Sequence, residues 1–512
     1  MLICDVPGFA AHNAPAHAAI HFEGRSIGYR AFAERCARLA RALATLAPRG
    51  ARVAVLSTNR IEFMECYFGI PGAAMIMTPL NIRQGARDLG HIVADAEPAV
   101  VIVEPAFLGL LDALRAQLPD GVRIVVLDDA PQGCLGYEEL LAAAPDGPRP
   151  EPSTPDAPAW LMYTSGTTGR SKGAVMSHRS VLASVTNTMC AFDFGRDDTS
   201  LFMFPMFHIA GYALLGYMLR GNPIVLMRGF EVGAYLANVA RYRITQHAIA
   251  PTMLAMVLED PRVDDHDTSS LRQIAYGASA MPPEIIRAAM ARWPHVGFGT
   301  GFGMTELCGN VVYLSRDEHL HALEREPSVL ASCGRPMPLA QVRIIDDAGR
   351  DVPEGATGEL AVRGDQVFSG YWRNEAATRE SFVDGWFRTG DIGRRDAQGR
   401  FYVVDRKKDM IITGGENVYS REVEDLLYEH PAVAEAAVVG ERDPKWGEKV
   451  VALVRLRSGA SADADALDAF CRKRIGGYKR PRRYIFVDEL PKSAAGKILK
   501  AELRRRLNEI GE

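Results

Sequence analysis

No lysine or arginine precedes Arg25, so the first 24 residues offer no basic leader of a secretory signal. The eight cysteines (Cys4, Cys36, Cys66, Cys134, Cys190, Cys308, Cys333, Cys471) are scattered, and no C-x-x-C pair occurs. That excludes a disulfide framework or a zinc ribbon and leaves them as reduced, small apolar residues. Long apolar runs are missing too. The most apolar window, Phe68–Leu80, is short and broken by Pro71 and Pro79, so no transmembrane helix is expected. Neither sign of charge prevails, with 59 basic against 63 acidic residues and a net charge of −4. No global field then favours nucleic acid or an anionic membrane. Repeats and low-complexity tracts are absent, and no Walker A loop can be written anywhere in the chain. These absences leave a globular chain expected in the cytoplasm, with no nucleic-acid partner.

What is present is ordinary in amount, at 47% hydrophobic and 24% charged residues over 512 positions. This length suits one large core plus a smaller unit. Short β-branched runs at 52–57, 99–104, 122–128, 160–163, 201–204, 223–227 and 245–250 alternate with helical periodicity at 60–69, 84–96, 180–190 and 232–242. Such alternation predicts α/β layers around parallel sheet. From Gln341 short strands lie between Gly- and Asp-rich turns, which predicts a small antiparallel β unit. Pro145–Pro158 reads as a surface linker. The charged string Asp405–Asp409 is followed by Gly414-Gly415 and a compact α+β pattern. The expectation is a large multi-layer α/β domain over 1–407 and a small mobile α+β domain over 408–512.

Four segments carry chemistry. Tyr163–Gly173 packs five Ser/Thr hydroxyls, three glycines, Arg170 and Lys172 into one loop after a strand. Turned backbone N–H groups, hydroxyls and a lysine make a polyphosphate cradle, with a plain Ser/Gly loop as the bland alternative. In Gly297–Glu306 four glycines alternate, so a Rossmann fingerprint fails; an aromatic at Phe302 suits purine stacking, and a glycine-laced buried strand is the alternative. Asp384–Asp391, followed by Asp405-Arg406, places a carboxylate in a glycine turn able to grip a ribose diol, or simply to make an Asx turn. Pro491–Ile498 holds Lys497 on a glycine-hinged loop, where a solvated charge is the default reading.

Those segments, in this order and spacing, resemble the adenylate-forming superfamily of acyl-CoA synthetases, peptide-synthetase adenylation domains and luciferases, from about Phe22 to Lys500. The resemblance implies ATP, Mg²⁺ and coenzyme A as cofactors or co-substrates. It places Thr164, Ser165, Gly166, Thr167, Thr168, Gly169 and Lys172 at the ATP phosphates. Phe302, with Gly303 and Met304, takes the adenine stack usually made by tyrosine. Thr305 would touch the α-phosphate, Glu306 with Thr164 would hold Mg²⁺, and Asp391 and Arg406 would grip the ribose. Gly277, Ala278 and Ser279 would run between adenine and acyl pocket, whose lining is His208, Ile209, Tyr212, Tyr276, Gly277, Gly301 and Met304. His208 would stand at the acyl and thiol entrance or be a packed core residue. Lys408 matches the hinge, Gly414 and Gly415 join the nucleotide-binding set, and Lys497 is the catalytic lysine beside Glu306, Thr164 and His208.

The implied reaction is an acid–thiol ligation: a carboxylate attacks ATP to give acyl-AMP and pyrophosphate, and CoA takes the acyl group. The mostly apolar and aromatic pocket suits a medium- or long-chain fatty acid or an aryl acid. Alternatives are a carrier-protein-loading adenylation enzyme and a non-catalytic nucleotide-binding module; a dimer is compatible with the sequence. The stretch Arg472–Arg483 carries seven cations and no acid, a solvated face or a contact for CoA phosphates.

Overall fold

The computed structural model describes residues 1–151, 153–164, 171–277, 281–492 and 498–510. Two large sheets form the N-terminal body. In the first, strands Gln273–Tyr276, Gln246–Ile249, Ser200–Phe202, Ile224–Leu226 and Ala18–Phe22 lie side by side in parallel. Gly297–Met304 extends that parallel run, and Gly309–Leu314 turns back antiparallel against it. The second sheet is parallel through Ile76–Pro79, Arg52–Leu56, Val100–Val103 and Arg123–Val126. It ends in the antiparallel hairpin Pro158–Thr164/Lys172–Ser177, edged by Gly370–Tyr371. The β-branched runs thus fall where parallel strands need apolar side chains on both faces, and Val53, Val55, Val100 and Ile102 are fully buried. One apolar cluster, from Phe22 and Phe68 to Trp160, Tyr212 and Phe401, draws on strands of both large sheets.

Strands Gln341–Ile345, Gly358–Arg363, Trp386–Arg395 and Phe401–Arg406 form the expected antiparallel unit. The last sheet, built on Val433–Asp443 and Gly447–Leu456, makes the small C-terminal domain. Successive strand residues point to opposite faces, and here each face has its own core. Val438, Val450 and Leu467 pack on one side, and Val439, Val451, Leu503 and Leu507 on the other. The sheet therefore carries a core on each face. Among the described residues no helix is long and apolar enough to cross a membrane.

Candidate active site

The hairpin of the second sheet brings Thr164 opposite Lys172, with the Thr164 hydroxyl donating to the Lys172 carbonyl at 3.4 Å. Ser165, Gly166, Thr167, Thr168 and Gly169 lie outside the described residues. The base of the hairpin is anchored by Tyr163, whose hydroxyl donates to Asp95 at 2.5 Å.

The glycine-rich segment is a strand as far as Met304, followed by a single turn, Thr305–Leu307, that delivers Glu306. Its alternation has a steric cause on the neighbouring strand. A Cβ on Gly299 would fall 2.1 Å from the Tyr313 hydroxyl, and one on Gly303 2.0 Å from the Gly309 carbonyl oxygen. Nothing larger than glycine fits there. Glu306 is 5% exposed, and its backbone carbonyl accepts from the Phe368 N–H at 2.9 Å. Burial raises its carboxyl above the ordinary glutamate value. A 3.0 Å hydrogen bond from the Tyr371 hydroxyl and the charges of Arg406 and Lys172 work against that rise.

Asp391 and Arg406 are cross-strand partners in the antiparallel unit, paired at 2.7 Å, with Asp391 2% exposed. Glu306 thus feels cations from two other sheets: Lys172 from the hairpin of the second sheet and Arg406 from this one. Residues far apart in the chain converge on one carboxylate.

Ile209, Tyr212, Phe302 and Met304 all belong to the apolar cluster shared by the large sheets. The Tyr212 hydroxyl is bonded to Thr188 at 3.1 Å. Tyr276 takes part in a different cluster, and its hydroxyl is committed to His319 at 2.7 Å; a Cβ on the neighbouring Gly277 would lie 3.9 Å from the Gly301 carbonyl oxygen. His208 packs edge-on to Phe207. Its Nε2 is buried with no hydrogen-bond partner among the described residues. Burial, then the charge of Arg83, holds the imidazole down at about 4. It is therefore neutral at physiological pH, and a proton is costly there. Asn310 escaped sequence reasoning, although its side-chain nitrogen stands 2.7 Å from where a Gly301 Cβ would be. Tyr371 escaped it too, because its place depends wholly on long-range pairing of Gly370–Tyr371 with Lys172–Ser177.

In the small domain, Gly414 and Gly415 form a two-residue hairpin turn with φ of +61° and +85°, the left-handed pair such turns require. The Gly414 N–H donates to the Trp446 carbonyl at 2.7 Å. Lys408 is exposed in the turn that follows Arg406. Ala278, Ser279 and Lys497 lie outside the described residues. In the basic stretch, Arg472 and Arg480 pair with Asp468, Lys479 with Glu422, and Arg483 with Glu441, so much of its charge is already met.

Among the described residues there is no cluster of three or more metal-ligating side chains. A lone buried carboxylate with a nearby hydroxyl is a poor cage for a bare ion. It does match Mg²⁺, which keeps its waters and binds through one or two carboxylates plus substrate phosphates.

The family model described as AMP-binding enzyme matches residues 9–372, and the one described as AMP-binding enzyme C-terminal domain matches residues 422–497. The chain belongs to the AMP-binding enzyme family. It is 37% identical over 495 residues to an indoleacetate–CoA ligase of Aromatoleum aromaticum, covering 96% of this chain and 95% of that one. A feruloyl-CoA synthase of an Amycolatopsis species is 38% identical over 503 residues, covering 97% of each. The structure superposes on o-succinylbenzoate CoA synthetase of Bacillus subtilis in complex with its acyl-adenylate intermediate, with a TM-score of 0.86, 29% identity and 98% of each chain covered. The protein is an enzyme of the AMP-forming acid–CoA ligase class within that family.

Proposed function

We propose that this enzyme activates an aryl or arylalkanoic acid as its acyl-adenylate and transfers the acyl group to coenzyme A. The observation that carries the reading is the buried Glu306, bonded to Tyr371 and in the field of Lys172 and Arg406 from separate sheets, with Tyr212, Phe302 and Met304 gathered in one apolar cluster. A carboxylate makes a poor acyl donor because its leaving group would be oxide. Attack of its oxygen on the ATP α-phosphorus forms one P–O bond and breaks the bond to pyrophosphate. Attack of the CoA thiol on the acyl carbon then forms the thioester and releases AMP.

The first step brings two anions together and piles charge on phosphorus, so it needs fixed cations. Lys172 supplies one at the phosphate loop, and Glu306 with Thr164 would hold the Mg²⁺ that arrives with ATP, which offsets phosphate charge when bound. The Asp391–Arg406 pair presents its carboxylate to the ribose diol, and Phe302 offers a ring face to adenine. Relatives that act on indoleacetate and ferulate favour an aromatic acid over a fatty one. The test is product analysis with aryl acids and C8–C16 fatty acids side by side, reading AMP and acyl-CoA. Preference for the fatty series by kcat/KM would overturn the aryl assignment.

Glu306→Gln is expected to raise the Mg²⁺ concentration needed for half-maximal rate by about tenfold or more, because a hard cation loses an anionic oxygen. An unchanged Mg²⁺ titration would remove Glu306 from the metal. His208→Asn is expected to leave in place any acid limb of the acyl-transfer rate above about pH 5, because His208 takes up its proton only near about 4. Loss of such a limb in the variant would contradict that.

A further inference from the structure

The chain carries ten lysines against 49 arginines, and Lys172 is the sole lysine before Lys407. Everywhere else in those 406 positions the cation is arginine. An ammonium is a compact point charge, whereas a guanidinium is a broad planar fork. The surroundings of Lys172 suit the compact form. Its Nζ stands 4.9 Å from the ring centroid of Tyr371, at cation–π distance. The same tyrosine donates its hydroxyl to Glu306 Oε1 at 3.0 Å. One side chain thus contacts both the cation of the phosphate loop and the buried carboxylate.

Tyr371 is itself held on three sides. Its strand pairs with Lys172–Ser177, setting Tyr371 opposite Ala174. Its N–H donates to the Thr378 hydroxyl at 2.9 Å, and the Phe368 ring meets it edge-on at 4.9 Å. The preceding Gly370 sits at φ +134° with Thr378 against it, so the backbone entering Tyr371 is tightly set. We propose that Tyr371 is a positioning residue that holds Glu306 and Lys172 in register for Mg²⁺-ATP. Its hydroxyl fixes the carboxylate, and its ring face parks the ammonium. This rests on the reading of Glu306 as the carboxylate that meets the ATP-borne metal.

Calorimetric titration of the full-length enzyme with ATP, in EDTA and in saturating Mg²⁺ and without any acid, separates the two contacts. The ratio of the affinities is the metal's contribution, and no reaction is needed to read it. Tyr371→Phe keeps the ring and loses the hydroxyl; it is expected to cut the metal's contribution about tenfold with metal-free binding unchanged. Tyr371→Leu removes the ring as well and is expected to weaken metal-free binding too. Melting curves establish that both variants fold. A Tyr371→Phe variant equal to wild type in both titrations, or weakened equally in both, overturns the proposal. Glu306→Gln is the separate control. If it leaves the metal's contribution intact, the Glu306 reading falls by itself and takes this proposal with it. If it abolishes that contribution while Tyr371→Phe does not reduce it, only Tyr371 is excluded.

Discussion

Replacing Lys497 by alanine is expected to slow acyl-adenylate formation by about 10²–10³-fold, the range seen when one preorganised donor to a developing charge is removed. Thioester formation from supplied acyl-adenylate should stay close to wild type. The asymmetry follows from where charge develops. Phosphorus gathers negative charge in the first step, whereas the second step transfers an acyl carbon that is already activated. Described residues on either side of the segment that holds this lysine meet each other. Lys492 bridges Ile498, and the Leu499 N–H donates to the Pro491 carbonyl at 2.8 Å. Measuring each half-reaction alone in a rapid-quench apparatus decides the matter. Equal loss in both would assign Lys497 a structural or thiol-step role.

Lys408→Pro is expected to leave single-turnover pyrophosphate release near normal and to cut acyl-CoA production on the order of a hundredfold, the scale of a misplaced reacting group. The contacts on either side are the reason to expect a pivot here. Lys407 belongs to the large body: its N–H donates to the Gly390 carbonyl at 2.9 Å, and its ammonium reaches Asp347 at 2.7 Å and Glu359 at 3.3 Å. Asp409 belongs to the small domain, paired with Arg504 at 2.9 Å. Lys408 itself is exposed in the turn between them, which the Asp409 and Met410 N–H groups close by donating to the Arg406 carbonyl at 2.9 and 3.1 Å.

A rotation there must also release a clasp. Ser420 donates its N–H and hydroxyl to Asp405 at 2.5 and 2.7 Å, and Arg421 donates to the Val403 carbonyl at 3.3 Å. Proline fixes φ near about −65° and restricts Lys407 as well, so one orientation is locked. The adenylating orientation is the expected survivor, because it is reached before any product forms. The melting temperature should stay near wild type. Loss of both half-reactions together, or of neither, would take the hinge away from Lys408.

Parts of the fold written in local pattern were readable from sequence. The runs at 52–57 and 99–104 became strands Arg52–Leu56 and Val100–Val103, because β-branched side chains lose rotamer freedom in a helix and pack well on a pleated sheet. Within the compact α+β pattern after Gly415, strand Val433–Asp443 runs on past its apolar residues, because pairing with Gly447–Leu456 carries the ladder out through polar ones. The glycine alternation near Phe302 was visible, but its cause was not. The close approach of Tyr313 and of the Gly309 backbone exists only once two strands pair. Tyr371 was illegible for the same reason. A tyrosine between a glycine and a tryptophan carries no local signal, and its role needs an edge strand, a hairpin and a turn brought together. The residues named at the site were legible through resemblance more than through physics, since a lone glutamate such as Glu306 has no local mark of burial.

The central claim is that an acid is activated on ATP before the thiol acts. Pyrophosphate release measured with a carboxylic acid, first without CoA and then with it, tests that order directly. The account predicts an acid-dependent burst approaching one equivalent per enzyme without CoA, and sustained turnover when CoA is added. Release of phosphate in place of pyrophosphate, or no stimulation by any acid in the panel, would contradict it.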